Sequence, residues 1–284
     1  MIDETVAEIE GMQTHSSSIV AVKAAEALRE LFDREYPAVE EYVRDLERNS
    51  SALRRANPSH ATLHTSQREI VETVAAADVD DVAEAKERTE AVIDRLVTEI
   101  RTGKRKAAEA AADRLEDGMT VLTHDYSSTL LEAIELAARD GTHLEVYVTE
   151  ARPRYLGRKT VRTLAGIDRV EPHLLVDSAA GHVLADCDVA AFGMTCIVEE
   201  TYYNRVGTFP IAATAAELAV PVHLVGSSSK IIESGGFAFE NENRDPAEVM
   251  REPAEGFTIE NPAYDATPLH LVDAVVTDDG VRAP

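Results

Sequence analysis

Residues 176–208 decide the fold, and they read VDSAAGHVLADCDVAAFGMTCIVEETYYNRVGT. The polar turn Asp177-Ser178 follows an apolar run, and its side chains can cap a short helix. A second apolar run, Val189 to Phe192, ends at Gly193, and a polar segment closes the stretch. This order of strand, turn, helix, strand and polar loop is typical of a doubly wound α/β sheet. In such sheets, ligands bind outside the carboxyl ends of the strands.

The same pattern continues on both sides of this stretch. Thr129 and Glu132 fit a capping box, and the helix that they begin ends at Gly141. Helical patterns fall between most of the apolar runs, so we predict parallel pairing with right-handed crossovers. The predicted strands are 119–122, 144–148, 174–176, 189–192, 222–225 and 273–277.

The first part of the chain has no strand alternation. Apolar residues recur at helical spacing in 17–33 and again in 82–115, where Gly103 is a candidate bend or break. Asn57-Pro58-Ser59 interrupts the helices as a turn. We therefore predict an α/β protein with a helical N-terminal domain, 1–117, and a Rossmann-like, mostly parallel doubly wound sheet domain, 118–284.

The composition limits the compartment and the partners. Lys and Arg total 28 against 52 Asp and Glu, which gives a net charge of −24. So acidic a surface repels nucleic acids and anionic membranes, and it favours solubility in concentrated salt. The cysteines, Cys187 and Cys196, form neither a disulfide framework nor a Cys/His metal cluster. The N-terminus is acidic and no apolar run approaches the ~20 residues of a membrane span, so we predict a halophilic, cytoplasmic protein.

Four polar loops follow predicted strands, at 123–129, 149–160, 193–208 and 226–230. A parallel sheet would gather them on one rim, where backbone N–H groups and cations bind anions. The cations in these loops are Arg152, Arg154, Arg158, Arg205 and Lys230. Their concentration favours a phosphate-bearing ligand, and the alternative is that they pair with the many carboxylates of the chain.

Four motifs occur in a recognisable order across 118–284: 149–153 with Gly157, 177–179, 204–208 and 261–268. With them, the chain resembles the alpha, beta and delta subunits of translation initiation factor 2B. It also resembles their relatives, the isomerases of ribose-1,5-bisphosphate and methylthioribose-1-phosphate. The resemblance implies a helical N-terminal half, a homodimer or assembly with related subunits, and no cofactor or metal.

The chain departs from the isomerases at the residues that the resemblance makes catalytic. Asp125 stands where they have a Cys, and Thr195 stands where they have the Asp of a Gly-Ala-Asp turn. A threonine hydroxyl cannot ionise near neutral pH, so it cannot replace a carboxylate in proton transfer. Phosphate-binding segments differ as well, at His15–Ser18, Asn57–Ser59 and Leu156.

These departures predict an initiation factor 2B-like protein that is non-catalytic, regulatory or translation-related, with a residual cleft for a sugar phosphate or nucleotide. The alternative is an aldose–ketose isomerase in which Asp125 is the base and His124, His182 or Cys196 is the acid. The ligand contacts that the resemblance implies are Glu150, Arg152, Ser178, Asn204, Arg205 and Lys230.

Overall fold

The computed structural model describes residues 2–11, 17–77, 79–232, 237–253 and 255–284. His15 and Ser16, which the sequence comparison singled out, lie outside these residues. The chain forms two compact units, which fall within Met1–Thr102 with Gly235–Phe239 and within Gly103–Ser234 with Glu240–Pro284. The predicted boundary between 117 and 118 stays a prediction.

The first unit is helical, as the sequence predicts. Helix α3 shows why, because Tyr42, Leu46 and Leu53 recur on one face and are fully buried. None of the helices in the described ranges is both long and apolar enough to cross a membrane. The helices of this unit are α1 Ile2–Glu10, α2 Ser17–Ala27, α3 Val39–Ala56, α4 Ala61–Ala75 and α5 Val82–Ala112, whose last turns belong to the second unit.

Helix α5 continues through Gly103, so a break at that residue, one of the two predicted alternatives, is wrong. A Cβ atom built on Gly103 would lie 2.8 Å from the Ser227 hydroxyl oxygen and 2.9 Å from a carboxylate oxygen of Asp278. The glycine is therefore explained by a close approach of neighbouring side chains, without any break in the helix.

The second unit contains a seven-stranded sheet whose strand order is β11-β10-β7-β4-β1-β2-β3. All pairs are parallel except β10 with β11, which confirms the predicted fold class. Its strands are β1 Thr120–His124, β2 Leu144–Thr149, β3 Val170–Leu175, β4 Val189–Gly193, β7 Val222–Val225, β10 Ala274–Thr277 and β11 Gly280–Arg282. The helices of this unit are α6 Ser128–Arg139, α7 Gly157–Leu164, α8 Ala180–Val183 and α9 Thr208–Glu217.

The second unit also contains a sheet of four strands, two of which lie within the predicted polar loop 193–208. Its order is β8-β5-β6-β9, and β6 pairs antiparallel with both β5 and β9. The sequence analysis missed this sheet for two reasons. Its strands are short, and in β6 the buried residues Tyr202 and Asn204 alternate with neighbours that are only half-buried. The strands are β5 Cys196–Val198, β6 Thr201–Arg205, β8 Ile231–Ile232 and β9 Tyr264–Pro268.

Two predicted helix caps are different in the structure. Helix α6 begins after Ser127, whose hydroxyl accepts the Leu130 N–H at 3.2 Å, so the predicted capping box of Thr129 and Glu132 is wrong. Asp177 does not cap its own short helix; its carboxylate accepts N–H groups from a neighbouring loop. In both cases a side-chain oxygen, of Ser127 or of Asp177, accepts a free backbone N–H group that the local sequence did not identify.

Candidate functional site

The site lies at the carboxyl end of β1, where the strand order of the main sheet reverses. Strand β1 pairs with β2 on one side and β4 on the other, as at a topological switch point. Gly193 ends β4 directly against Ser127, because a Cβ atom on Gly193 would lie 2.5 Å from that side chain. This close contact brings the end of β4 to the start of α6, beside the residue that follows β1.

Asp125 is the residue that follows β1, and its backbone is left-handed, with φ of 67°. Its Oδ2 atom accepts from Arg205 Nε at 3.2 Å, and both side chains are only 12% exposed. Its Oδ1 atom is buried and has no hydrogen-bond partner among the described residues. The Thr160 hydroxyl holds the Asp125 carbonyl at 2.6 Å. The structure therefore presents a fixed carboxylate with one oxygen that is buried and unpartnered among the described residues.

Arg205 is held on three sides. Besides Asp125, it donates to the Ala263 carbonyl at 3.3 Å, and its guanidinium lies 4.9 Å from the centre of the Tyr264 ring. Burial alone would lower the pKa of Arg205, but the negative charge of Asp125 and the Tyr264 hydroxyl raise it. The Arg205 cation is therefore permanent, as the sequence hypothesis of an anion contact requires.

Two further guanidinium groups stand near this pair. Burial, followed by the charges of Arg244 and Arg205, lowers the pKa of Arg154. Arg154 lies 3.9 Å from Glu248, whereas Arg244 bonds the same carboxylate at 3.1 Å. Arg244 also lies 3.6 Å from Glu242, so three carboxylates accompany the three arginines of this group, and the side chains of Arg154 and Arg244 are under 20% exposed.

The other predicted cations of the 149–160 loop form a separate group around Tyr155. Arg158 lies 3.8 Å from the centre of that ring, and Arg152 lies 5.5 Å from it. Glu150 is buried and accepts from Arg158 at 2.6 Å, so this pair follows the alternative of internal ion pairing. Arg152 is exposed and donates to the Val249 carbonyl at 3.3 Å.

The loop that carries these residues is fixed by Asp177. Its two carboxylate oxygens accept the N–H groups of Ala151 and Arg152, each at 2.7 Å. Ser178, the next residue, is exposed on a short 3-10 helix. The predicted contact at Ser178 is therefore at the rim, and Asp177 acts through the loop backbone.

The side chains of Thr195 and Asn204 are hydrogen-bonded to each other. The Thr195 hydroxyl donates to Asn204 Oδ1 at 3.3 Å, and Asn204 Nδ2 donates to the Thr208 hydroxyl at 3.1 Å. Asn204 is buried. The threonine that replaces the implied acid therefore stabilises the β6–α9 connection and has no ionisable proton.

Lys230 lies beneath the turn that follows β4 and is only 7% exposed. Its ammonium donates to the Met194 carbonyl at 2.7 Å, and burial lowers its pKa to about 8. The buried Tyr202 hydroxyl donates to the Gly193 carbonyl in the same turn. The structure thus places Lys230 as a support of the turn.

The three proposed acids are not equivalent to a free proton donor. His124 has no exposed side-chain surface, and both ring nitrogens contact the protein, at the Thr149 hydroxyl and the Val206 carbonyl. Burial raises the pKa of Cys196 to about 12. His182 is exposed on α8. His124 is therefore engaged by the protein at both ring nitrogens, and the Cys196 thiol keeps its proton near neutral pH.

The structure therefore unites Asp125 and Arg205, which are 80 residues apart, and sets Glu150, Arg152, Ser178 and Lys230 around them in other roles. Sequence analysis missed Arg244 and Glu248, which lie outside the strand-end loops that it searched. No group of three or more His, Cys, Asp or Glu within the described ranges could hold a metal ion. A cavity of about 400 Å³ lies elsewhere, beside His143 and Arg169 at the amino ends of β2 and β3.

The model of the Initiation factor 2 subunit family matches residues 13–284. A ribose 1,5-bisphosphate isomerase of Haloterrigena turkmenica is 32% identical, over 99% of this chain and 89% of that protein. Four further proteins with the same name are 28% or 29% identical over nearly the whole of this chain.

Two solved structures share the fold. The translation initiation factor eIF-2B of Pyrococcus horikoshii OT3 aligns with a TM-score of 0.85 at 22% identity, covering 100% of this chain and 97% of that one. A chain of the tetrameric eIF2B-beta2-delta2 complex of C. thermophilum aligns with a TM-score of 0.77 at 18% identity, covering 99% of this chain and 90% of that one. At these identities the likeness concerns the fold alone.

The prediction of a non-catalytic protein is wrong, because the full-length relatives at 28–32% identity carry the name of an isomerase. That prediction counted Asp125 as a loss. The exchange of Cys for Asp instead keeps an ionisable side chain at the end of β1, and the structure leaves one of its oxygens without a partner.

Proposed function

Because the chain belongs to the Initiation factor 2 subunit family, we propose that it is an aldose–ketose isomerase of a phosphorylated pentose. The observation that carries the proposal is the carboxylate of Asp125. One of its oxygens is held by Arg205, and the other is buried without a hydrogen-bond partner in the described structure. The relatives named for ribose 1,5-bisphosphate isomerase support the choice of substrate.

An aldose–ketose isomerisation moves a proton between adjacent carbons. In the proposed reaction, the bond between C1 and the ring oxygen breaks, and Asp125 Oδ1 takes the proton from C2 and returns it to C1. The proton of the C2 hydroxyl group passes to the former ring oxygen as C2 becomes the carbonyl carbon. One carboxyl group can serve both steps, because its bound proton is not lost to solvent in a buried site. This use of a single group is consistent with Thr195, whose hydroxyl is donated to Asn204.

The second support for the proposal is a group of arginines that can bind the phosphate of the substrate. Arg154, Arg205 and Arg244 are mostly buried, with side chains 12–18% exposed, and a guanidinium binds phosphate through fixed pairs of N–H groups. Burial, followed by the charges of Arg244 and Arg205, lowers the pKa of Arg154, and a phosphate at this group would offset the part that comes from these charges. We therefore assign phosphate binding to this arginine group.

The remaining expectations form part of the same proposal. We propose a cytoplasmic protein that works in concentrated salt and assembles as a homodimer. The net charge of −24 supports the salt preference, since carboxylates hold water and cations.

The test is turnover of ribose 1,5-bisphosphate by the purified chain in high salt, with ribulose 1,5-bisphosphate measured as the product. Asp125→Asn removes the base but keeps the size of the side chain, and we expect kcat to fall by about 10²–10⁴-fold. Asp168→Asn, at an exposed turn, is the matched control and should keep wild-type kcat.

Two results would count against the proposal. A wild-type protein that converts neither ribose 1,5-bisphosphate nor a pentose 1-phosphate is not an isomerase of this class. A fully active Asp125→Asn variant would leave the isomerase in place and remove Asp125 from its chemistry.

A further inference from the structure

We propose that His124 is a positioning residue that holds Asp125 and Arg205 together as one unit. The inference rests on the proposed function, since it concerns how the acid/base group and the phosphate contact are aligned. His124 directly precedes Asp125 along the chain, and its ring bonds the residue that directly follows Arg205. One imidazole therefore holds the backbone beside both members of the ion pair.

The hydrogen bonds define the state of the ring. His124 Nε2 lies 2.9 Å from the Val206 carbonyl oxygen, and a carbonyl only accepts, so Nε2 carries the proton. His124 Nδ1 lies 2.6 Å from the Thr149 hydroxyl, whose other acceptor, the Thr123 carbonyl, is 3.5 Å away. Both ring nitrogens are therefore engaged by the protein, at the Val206 carbonyl and the Thr149 hydroxyl.

The residues around the His124 ring allow it only one orientation. A Cβ atom built on Gly207 would lie 2.8 Å from His124 Cε1, and Gly207 has a left-handed φ of 106°. The only carboxylate near the ring among the described residues, Asp177, is 3.9 Å away and is occupied by the N–H groups of the neighbouring loop. A larger residue at 207 or a turned ring would displace the chain that follows Arg205.

The backbone at Asp125 and Arg205 needs such support. Asp125 has a φ of 67°, which costs free energy for a residue other than glycine, so contacts must hold it there. Strand pairing ends at His124, opposite Thr149, and cannot extend to Asp125. Arg205 is the last residue of β6, and its ladder ends opposite Tyr264. The imidazole links these two chain ends, which no strand pairing connects.

The test uses a matched pair of amide substitutions. In His124→Gln the side-chain nitrogen takes the position of Nε2 and can still donate to the Val206 carbonyl. In His124→Asn it takes the position of Nδ1 and cannot reach that carbonyl. We expect His124→Asn to lose about 10²-fold in kcat/KM, with a lower kcat and a higher KM, because both groups shift. We expect His124→Gln to recover to within about tenfold of wild type, and the exposed-site control His270→Gln to match wild type.

A purely structural role would lower the melting temperature of both amide variants and leave kcat and KM of the folded protein unchanged, which would overturn the inference. Equal kcat/KM in His124→Asn and His124→Gln would overturn it too. If His124→Asn does not fold, Thr149→Val takes its place, because it removes the partner of Nδ1. It should then lower kcat and raise KM together, and unchanged values would reject the proposal.

A second readout separates this inference from the proposed function. Inorganic phosphate should raise the melting temperature of the wild type and of His124→Gln through Arg205, and should lose that effect in His124→Asn. If the wild type shows no turnover but this pattern appears, the proposed function fails and the positioning role stands. If phosphate has the same effect on all three proteins, or none on any, the positioning role fails.

Discussion

Lys230 shows most clearly how burial changes a residue that the sequence marked as a ligand contact. In a strand-end loop, a lysine is expected to reach an anion. In the structure its ammonium is 7% exposed and bonds the Met194 carbonyl, so it supports the turn after β4. Burial favours the neutral form of the Lys230 side chain over its charged form.

This burial predicts a pH dependence of stability for Lys230. Burial lowers its pKa from 10.5 to about 8, so between these values the unfolded state binds more protons and stability rises with pH. Below about 8 the buried ammonium costs about 3 kcal/mol. Lys230→Met removes this dependence, whereas the exposed-site control Lys106→Met keeps it. Urea unfolding between pH 8 and 10.5 measures this dependence. Parallel curves of the free energy of unfolding against pH for wild type and Lys230→Met would contradict the prediction.

At the scale of elements, helix α9 depends on a residue far along the chain. Asp265 Oδ2, on strand β9, accepts the N–H groups of Gly207 and Phe209 at 2.7 and 3.0 Å. A carboxylate at a helix N-terminus satisfies free donors and opposes the positive end of the helix dipole. The N-terminus of α9 is therefore filled by the protein, and the phosphate contact falls to the arginine side chains.

The cap predicts a measurable difference between two variants. Asp265→Ala should lower the free energy of unfolding by about 1–2 kcal/mol, because two N–H groups lose their acceptor. Asp265→Asn keeps an acceptor oxygen and should lose less. Chemical denaturation of both variants makes the comparison. Equal free energies of unfolding for Asp265→Ala and Asp265→Asn would show that the contact does not hold the helix.

The net charge of −24 acts on the whole molecule. Like charges on the surface repel one another and favour the expanded chain, and salt screens them over a distance that falls from about 10 Å at 0.1 M to about 3 Å at 1 M. Stability is therefore coupled to the ionic strength of the solution.

We expect the melting temperature to rise as KCl increases from about 0.1 to 1 M, because screening shortens the range of this repulsion. A triple variant, Glu199→Gln, Glu200→Gln and Glu217→Gln, removes three exposed carboxylates and should show a smaller rise. Calorimetry at each salt concentration measures the effect. A melting temperature that falls with KCl would mean that specific ion pairs outweigh the repulsion.

The sequence by itself determined the main sheet and the edge at which the site lies. Apolar runs such as 189–192 and the turns after them are local signals, and strand direction follows from the helices between the runs. That information is enough to place Asp125 and Arg205 in polar loops that follow predicted strands.

Only the tertiary structure decided which of these side chains meet. Asp125 and Arg205 pair across 80 residues, and Arg244 joins them from a segment without a recognisable pattern. Pairing and burial depend on contacts between distant parts of the chain, which no local spacing encodes. The same reason explains why Lys230 is buried beneath a turn and why Asp265 caps a helix that begins 57 residues before it.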